Sequence, residues 1–236
     1  MERREPLGEG LHIWTSDAHR YGADALLLAA FAAPRPRERE ACDLGTGCGI
    51  IPLVWSERPQ PVQITAVDIS PEACGLLRRS VQDAGLEARI RVVCADLREP
   101  HAALGSGRFD LVSMNPPYFV AGHGAQSPDP ARRAARHETS CTLRQAAQAA
   151  ARLLRNGGRF CVCHRPERLC DLLCTLREAG LEPKRLRFAA ARADGVPWLV
   201  LCEAKKGARP GLRMLPCLTP ADGGAFSGVQ ENSAFQ

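Results

Sequence analysis

The sequence predicts an α/β fold, a doubly wound, mostly parallel seven-stranded sheet with an antiparallel edge strand. Three observations lead there. Short apolar runs alternate with helical patterns from Ala41 to Glu203. The first run opens onto a glycine turn, D-L-G-T-G-C-G at residues 43–49, that passes directly into a helix. An aspartate also closes each of the first three runs, at Asp43, Asp68 and Asp96, on the side where open α/β sheets bind ligands.

Residues 1–20 are polar and read as irregular, with Trp14 and His19 isolated. A compact apolar helix over 23–33 is stopped by Pro34 and Pro36. Strands are expected at 41–44, 62–67, 90–94, 109–113, 159–164, 184–190 and 198–203, the last two able to pair as an antiparallel edge hairpin. Helices fall between them. One starts at Pro71 with Ser70 as N-cap and stops near Gly85; another covers 143–154 and stops at Asn156, Gly157 and Gly158. Residues 120–139 are rich in Gly, Pro, Ser, Arg and His, a length of loop that is usually functional or mobile. The whole reads as one domain over 1–236, with an N-terminal extension over 1–40 and a Gly/Pro-rich segment over 205–236 whose end is expected to be poorly ordered.

With 236 residues, 45% hydrophobic and 24% charged, the chain can bury a sizeable core. No apolar run approaches the ~20 residues that span a bilayer, and the N-terminus lacks the apolar stretch of a secretion signal. A cytoplasmic protein with no membrane partner and no obligate protein partner is expected. The 11 cysteines fit a reducing compartment, where they pack as small hydrophobes. Cys161, Cys163, His164, Cys170 and Cys174 cluster in sequence, but without zinc-ribbon spacing, so no metal is expected. The net charge of +5 is uneven. Residues 1–128 hold 13 Arg and Lys against 16 Asp and Glu, whereas residues 129–236 hold 18 against 10. Such a basic half is either a solvated surface or a phosphate-facing side.

The glycine turn is read as the seat of a nucleotide-like cofactor. Its glycines, Gly45, Gly47 and Gly49, allow a sharp backbone turn and a close approach to a ligand. The dinucleotide form G-x-G-x-x-G is not met, because the third glycine comes one residue early and Ile50 takes its place. A dehydrogenase is thereby disfavoured. Asp68 follows Gly49 by 19 residues, near the spacing of a carboxylate that accepts from ribose hydroxyls. With their neighbours Ile69 and Leu97, the aspartates Asp43, Asp68 and Asp96 complete the expected cofactor-binding set, although any single aspartate after a strand also serves as a turn former. After the strand over 109–113 come Asn115, Pro116, Pro117 and Tyr118. Two prolines fix the backbone and carry no N–H, which leaves carbonyls to accept from a ligand.

The turn at 43–49 resembles motif I of class I S-adenosylmethionine (SAM) methyltransferases, and N-P-P-Y at 115–118 resembles motif IV of those that methylate planar amino groups. The resemblance implies that the Asn115 side-chain oxygen and the Pro116 carbonyl accept the two N–H bonds of the target while Tyr118 stacks on its face. Asn115 is counted with the cofactor-binding residues too, and Pro117 with the substrate-binding ones. Flanking stretches narrow the family: Y-G-A-D-A-L-L-L-A at 21–29, R-H-E at 136–138, H-R-P-E-R-L at 164–169 and P-G-L-R at 210–213. Together they look like the bacterial tRNA(Val) adenine-37 N6-methyltransferases, from about Leu11 to Pro216. That likeness implies a tRNA partner. It also gives Gly22 and Asp24 a role in closing the cofactor site and sets Arg132, Arg133, Arg136 and His137 on the substrate loop, where Glu138 could instead organise the next helix. Asp68 stands where some relatives have Glu. N5-methylation of a protein glutamine is the alternative for an N-P-P-Y enzyme, but such enzymes usually carry a helical domain ahead of motif I. A non-catalytic RNA-binding module on the same fold is the other, and intact Asn115 and Tyr118 argue against it.

Overall fold

Two strands hidden in the sequence come first. In the computed structural model, which describes residues 1–8, 10–59, 62–99, 104–116 and 141–220, Glu2–Pro6 (β1) and His12–Ser16 (β2) form an antiparallel hairpin. This corrects the expectation of an irregular N-terminus. The alternation is too short to read, since β1 has no large apolar residue and β2 sends only Ile13 into the core. Trp14 is not isolated either. Its backbone N–H donates to Ser80 Oγ (2.9 Å), its indole N–H donates to Asp83 Oδ2 (2.9 Å), and the Arg79 guanidinium lies 3.6 Å from the ring centroid.

The seven expected strands are all present: Glu40–Leu44 (β3), Gln63–Asp68 (β4), Ile90–Cys94 (β5), Phe109–Met114 (β6), Leu154–His164 (β7), Leu181–Ala190 (β8) and Pro197–Lys206 (β9). An eighth, Arg213–Met214 (β10), pairs in parallel with β8. The order is β10-β8-β9-β7-β6-β3-β4-β5, and only β9 runs against its neighbours. β8 and β9 make the expected hairpin, but not at the edge: the antiparallel strand β9 lies inside, against β7, and β10 flanks β8. β7 begins earlier than expected because residues 156–158 do not end the pairing but bulge within it: Phe109 faces Leu154 and Leu111 faces Arg159. A Cβ on Gly158 would stand 2.9 Å from the Phe109 carbonyl oxygen, so the strands approach closely only with glycine there.

Helices Ala23–Phe31 (α1), Ile50–Ser56 (α2) and Pro71–Asp83 (α3) cover one face of the sheet, and Leu143–Leu153 (α4) and Leu169–Glu178 (α5) the other. Ser70 caps α3 as expected, its Oγ accepting from Ala73 N–H at 3.2 Å. α4 starts with a capping box between Thr142 and Gln145, and Glu138 lies outside the described residues. Alternation along the strands splits the core between the two faces: Cys161 and Cys163 pack with Leu27, Leu28 and Trp55, Phe160 and Val162 with Ala146 and Leu172. None of the 11 cysteines is in a disulfide and six are buried, while Cys170 and Cys174 are exposed. Among the described residues no group of three or more His, Cys, Asp and Glu could hold a metal ion, and no helix is long and apolar enough to cross a membrane.

A buried ion network ties α1 to the sheet. Arg159 of β7 is 3% exposed and donates to Glu38 (2.6 and 2.8 Å), to the Ala32 and Ala33 carbonyls (3.0 and 2.9 Å) and, at 3.4 Å, to Glu203. Glu203 also receives Arg35 (2.5 Å) and Arg185 (2.9 Å). Burial raises the Glu203 pKa, but these guanidinium groups win and hold its carboxyl below the usual range.

Candidate functional site

The chain leaves β3 for β4 and β5 on one side and returns to β6 on the other, so β3 and β6 flank the switch point of the sheet. A cleft of about 510 Å³ opens there, at the carboxyl ends of the strands. Gly45, Asp68, Ile69, Asp96, Leu97 and Asn115, all named from the sequence, line it.

Each wall has a local cause. Gly45, Gly47 and Gly49 have φ of +63°, +56° and +91°, left-handed conformations that explain the run of glycines. Gly49 is constrained twice, because a Cβ there would lie 2.1 Å from a Leu77 methyl. The turn is pinned from beside: Gly47 N–H donates to Asp68 Oδ2 (2.8 Å) and Ser70 N–H to Asp68 Oδ1 (2.9 Å). Each Asp68 oxygen therefore takes one backbone N–H, and a carboxylate has about four acceptor positions. Beside it Ile69 is 37% exposed, an apolar side chain that lines the cleft together with Leu97. Asp96 is paired with Arg98 (2.5 Å), whose hydrogen bonds hold its carboxyl below the usual range.

Asp43 differs from expectation in its surroundings. It is 1% exposed, lies outside the lining, and accepts from Ser113 Oγ at 2.6 Å. Burial pushes its carboxyl up to about 7, against the lowering effect of that hydroxyl. Asp43 braces the floor between β3 and β6 and makes no wall of the cleft. Gly22, Asp24, Gly47 and Gly49 are likewise absent from the lining.

Asn115 follows β6 directly. Its Nδ2 donates to Asp24 Oδ2 at 3.0 Å, and its Oδ1 accepts from the Cys163 thiol at 3.1 Å. Asp24 arrives from the first turn of α1 and Cys163 from β7, so three elements meet at one amide. Pro116 is buried beside it. Pro117, Tyr118, Arg132, Arg133, Arg136 and His137 lie outside the described residues.

One wall was missed. Asp17, Ala18 and His19 follow the N-terminal hairpin into the cleft, and His19 Nε2 stands 3.3 Å from Ser70 Oγ and 3.6 Å from Glu72 Oε2. Only recognition of the hairpin could have found them, because nothing in S-D-A-H marks a ligand wall.

The methyltransferase small domain family matches residues 16–175 of this chain. A tRNA1(Val) (adenine(37)-N6)-methyltransferase of Tolumonas auensis is 32% identical over 208 residues, 87% of this chain and 84% of the relative. The enzyme of the same name from Porphyromonas gingivalis (strain ATCC 33277) is 31% identical over 80% of this chain and 75% of its own. Among solved structures, a predicted O-methyltransferase from Agrobacterium tumefaciens superimposes with a TM-score of 0.68 at 22% identity, covering 87% of this chain and 96% of that one. Geranyl diphosphate methyltransferase with geranyl diphosphate and sinefungin gives 0.58 at 14% identity over 78% of each. At these identities the two structures speak for the fold alone.

Proposed function

Because the chain belongs to the methyltransferase small domain family, we propose that it transfers a methyl group from SAM to the N6 amino group of an adenine in tRNA. The target proposed is adenosine 37 in the anticodon loop of tRNA(Val), the base named for the relatives at 31–32% identity. The observation that carries the reading is the position of Asn115, at the switch point, in the cleft wall and held at both ends of its amide.

The residues present suit SAM. Asp68 has acceptor capacity for ribose hydroxyls, Ile69 and Leu97 offer apolar faces to a planar adenine, and the glycine turn admits close backbone approach. Bound there, SAM supplies an electrophilic methyl carbon on a sulfonium. Asp68→Ala is expected to weaken SAM binding by about 10- to 150-fold, the loss of charged hydrogen bonds worth ~1.5–3 kcal/mol. Titration calorimetry measures it. Unchanged affinity would place the ribose elsewhere.

The chemistry falls to Asn115 and Pro116. An exocyclic amino nitrogen is a poor nucleophile because its lone pair is delocalised into the ring. By accepting its two N–H bonds, Asn115 Oδ1 and the Pro116 carbonyl concentrate the lone pair towards the methyl carbon. Orientation for in-line attack supplies much of the remaining acceleration. Tyr118 is assigned to stack on the base, worth ~1–3 kcal/mol. A base in an anticodon loop is already partly unstacked, which lowers the cost of bringing it into the pocket.

Phosphate contacts are assigned to the basic half of the chain. Arg132, Arg133, Arg136 and His137 belong to it by sequence. Arg165, Arg168 and Arg192 follow the carboxyl ends of β7 and β8, the edge of the sheet that also carries Asn115. The test is to incubate the purified protein with SAM and unmodified tRNA(Val) and to analyse both nucleosides and ribonuclease fragments by mass spectrometry. N6-methyladenosine at position 37 is expected. No methyl incorporation into tRNA, together with methylation of a glutamine in a protein substrate, would overturn the assignment.

A further inference from the structure

The Asn115 amide has two orientations of nearly equal shape, with oxygen and NH2 exchanged, and only one presents an acceptor where a target amino group needs it. The surroundings decide between them. Asp24 Oδ2 lies 3.0 Å from the Asn115 side chain, and a carboxylate in its ionised form only accepts. The NH2 end must therefore face Asp24. The opposite orientation would set an amide oxygen against a carboxylate oxygen. Oδ1 is thus turned to the Cys163 side, where its neighbour is a thiol. A thiol is a weak donor, so an incoming amino N–H competes with it on favourable terms.

We propose that Asp24 is the positioning residue of Asn115, fixing its amide by a hydrogen bond across 91 residues of sequence. This departs from a role in closing the cofactor site. It rests on the function proposed above only in what Asn115 then does for the substrate. Two details support it. The second Asp24 oxygen is tied by Ala25 N–H at 2.9 Å, which fixes the carboxylate to the start of α1. Gly22 leaves room for the same carboxylate: a Cβ at Gly22 would stand 2.6 Å from Asp24 Oδ1 and push it from its place. Gly22 has φ of −118°, an ordinary extended value, so the glycine supplies space here and not conformational freedom. The spacing G-x-D at 22–24 thereby has a physical reason, a carboxylate folded back over a residue without a side chain.

The test has two arms. In the first, the Asn115 side-chain NH2 signals are assigned in a 1H–15N spectrum by their loss in Asn115→Ala. They are expected to move in Asp24→Ala and in Gly22→Ala, and this readout needs no activity. In the second, single-turnover methylation of tRNA is followed at saturating SAM. Asp24→Ala is expected to slow it about 10-fold or more, since loosening a reacting geometry by ~1 Å costs up to 10²-fold. SAM affinity should stay unchanged. Asp24→Asn, which keeps an acceptor oxygen at the same reach, should recover most of the rate. The double variant Asp24→Ala/Asn115→Ala should be no slower than Asn115→Ala alone, because one residue acts through the other. Unmoved Asn115 signals in Asp24→Ala overturn the proposal. So does a loss that appears in SAM affinity instead of rate, or one that multiplies in the double variant. If the wild-type protein leaves tRNA unmethylated, the proposed function fails, and the spectra alone still decide the Asp24 contact.

Discussion

Asn115→Ala is expected to lower the single-turnover methylation rate by about 10²-fold or more, the scale on which loss of one preorganised electrostatic contact registers. Its hydrogen bond to the target matters chiefly while the nitrogen becomes nucleophilic, so the loss belongs in the chemical step. SAM affinity should barely move, because Asp68, Ile69 and Leu97 line the cleft independently of the amide. Tyr118→Ala should differ, weakening tRNA binding as well as rate, because stacking operates before the transition state. Tyr118→Phe should keep most of the activity. Rapid-quench measurement with excess enzyme separates these effects. A near-normal rate for Asn115→Ala would make N-P-P-Y a structural turn and place the chemistry elsewhere.

The second large effect concerns stability. Arg159→Met is expected to destabilise the fold by about 3–5 kcal/mol, the cost of breaking a buried ion pair from one side. The side chain removed serves six acceptor atoms, two of them the Ala32 and Ala33 carbonyls, and leaves Glu38 buried without its cation. Equilibrium urea unfolding measures the loss. Adding Glu38→Gln to Arg159→Met should recover part of it, since a neutral amide is cheaper to bury than a carboxylate. A loss below ~1 kcal/mol would mean that water enters the network and screens it. The pH dependence follows from Glu203. Its carboxyl pKa is held below the unfolded value, so its contribution is complete above the ordinary Glu range. It disappears as pH falls through the lowered value, and acid should narrow the difference between wild type and Arg159→Met.

Local features were legible in the sequence and long-range ones were not. The glycine turn announced itself because left-handed backbone at three alternate positions leaves a run of glycines. Ser70 was readable as a cap because its partner, Ala73, is three residues away. The hairpin β1–β2 was hidden because its stability comes from α3, through Ser80 and Asp83, well over sixty residues downstream. Asp43 was placed correctly at a strand end, yet sequence does not tell whether such a side chain enters the crevice or the floor beneath it. Nothing near Arg159 in sequence marks it, because its charged partners, Glu38 and Glu203, lie 121 and 44 residues away. Asp24 needed a resemblance to be noticed, and only the folded chain shows that it touches Asn115.

Helix α1 has a consequence for how the protein emerges from the ribosome. Its first turn is fastened to Asn115, and the carbonyls beyond its last turn are fastened to Arg159, 91 and up to 127 residues further along the chain. At roughly 5–20 residues per second, synthesis leaves α1 without its C-terminal anchor for about 6–25 s. During that interval its apolar side chains have the neighbouring helix α2, where Trp55 donates to the Ala29 carbonyl at 3.0 Å. The α1–α2 pair can therefore assemble early, while the Asn115 amide meets Asp24 only once β6 has been made and the Cys163 thiol only once β7 has followed. Nascent chains that end before Asn115 hold the whole glycine turn but lack the amide that Asp24 binds.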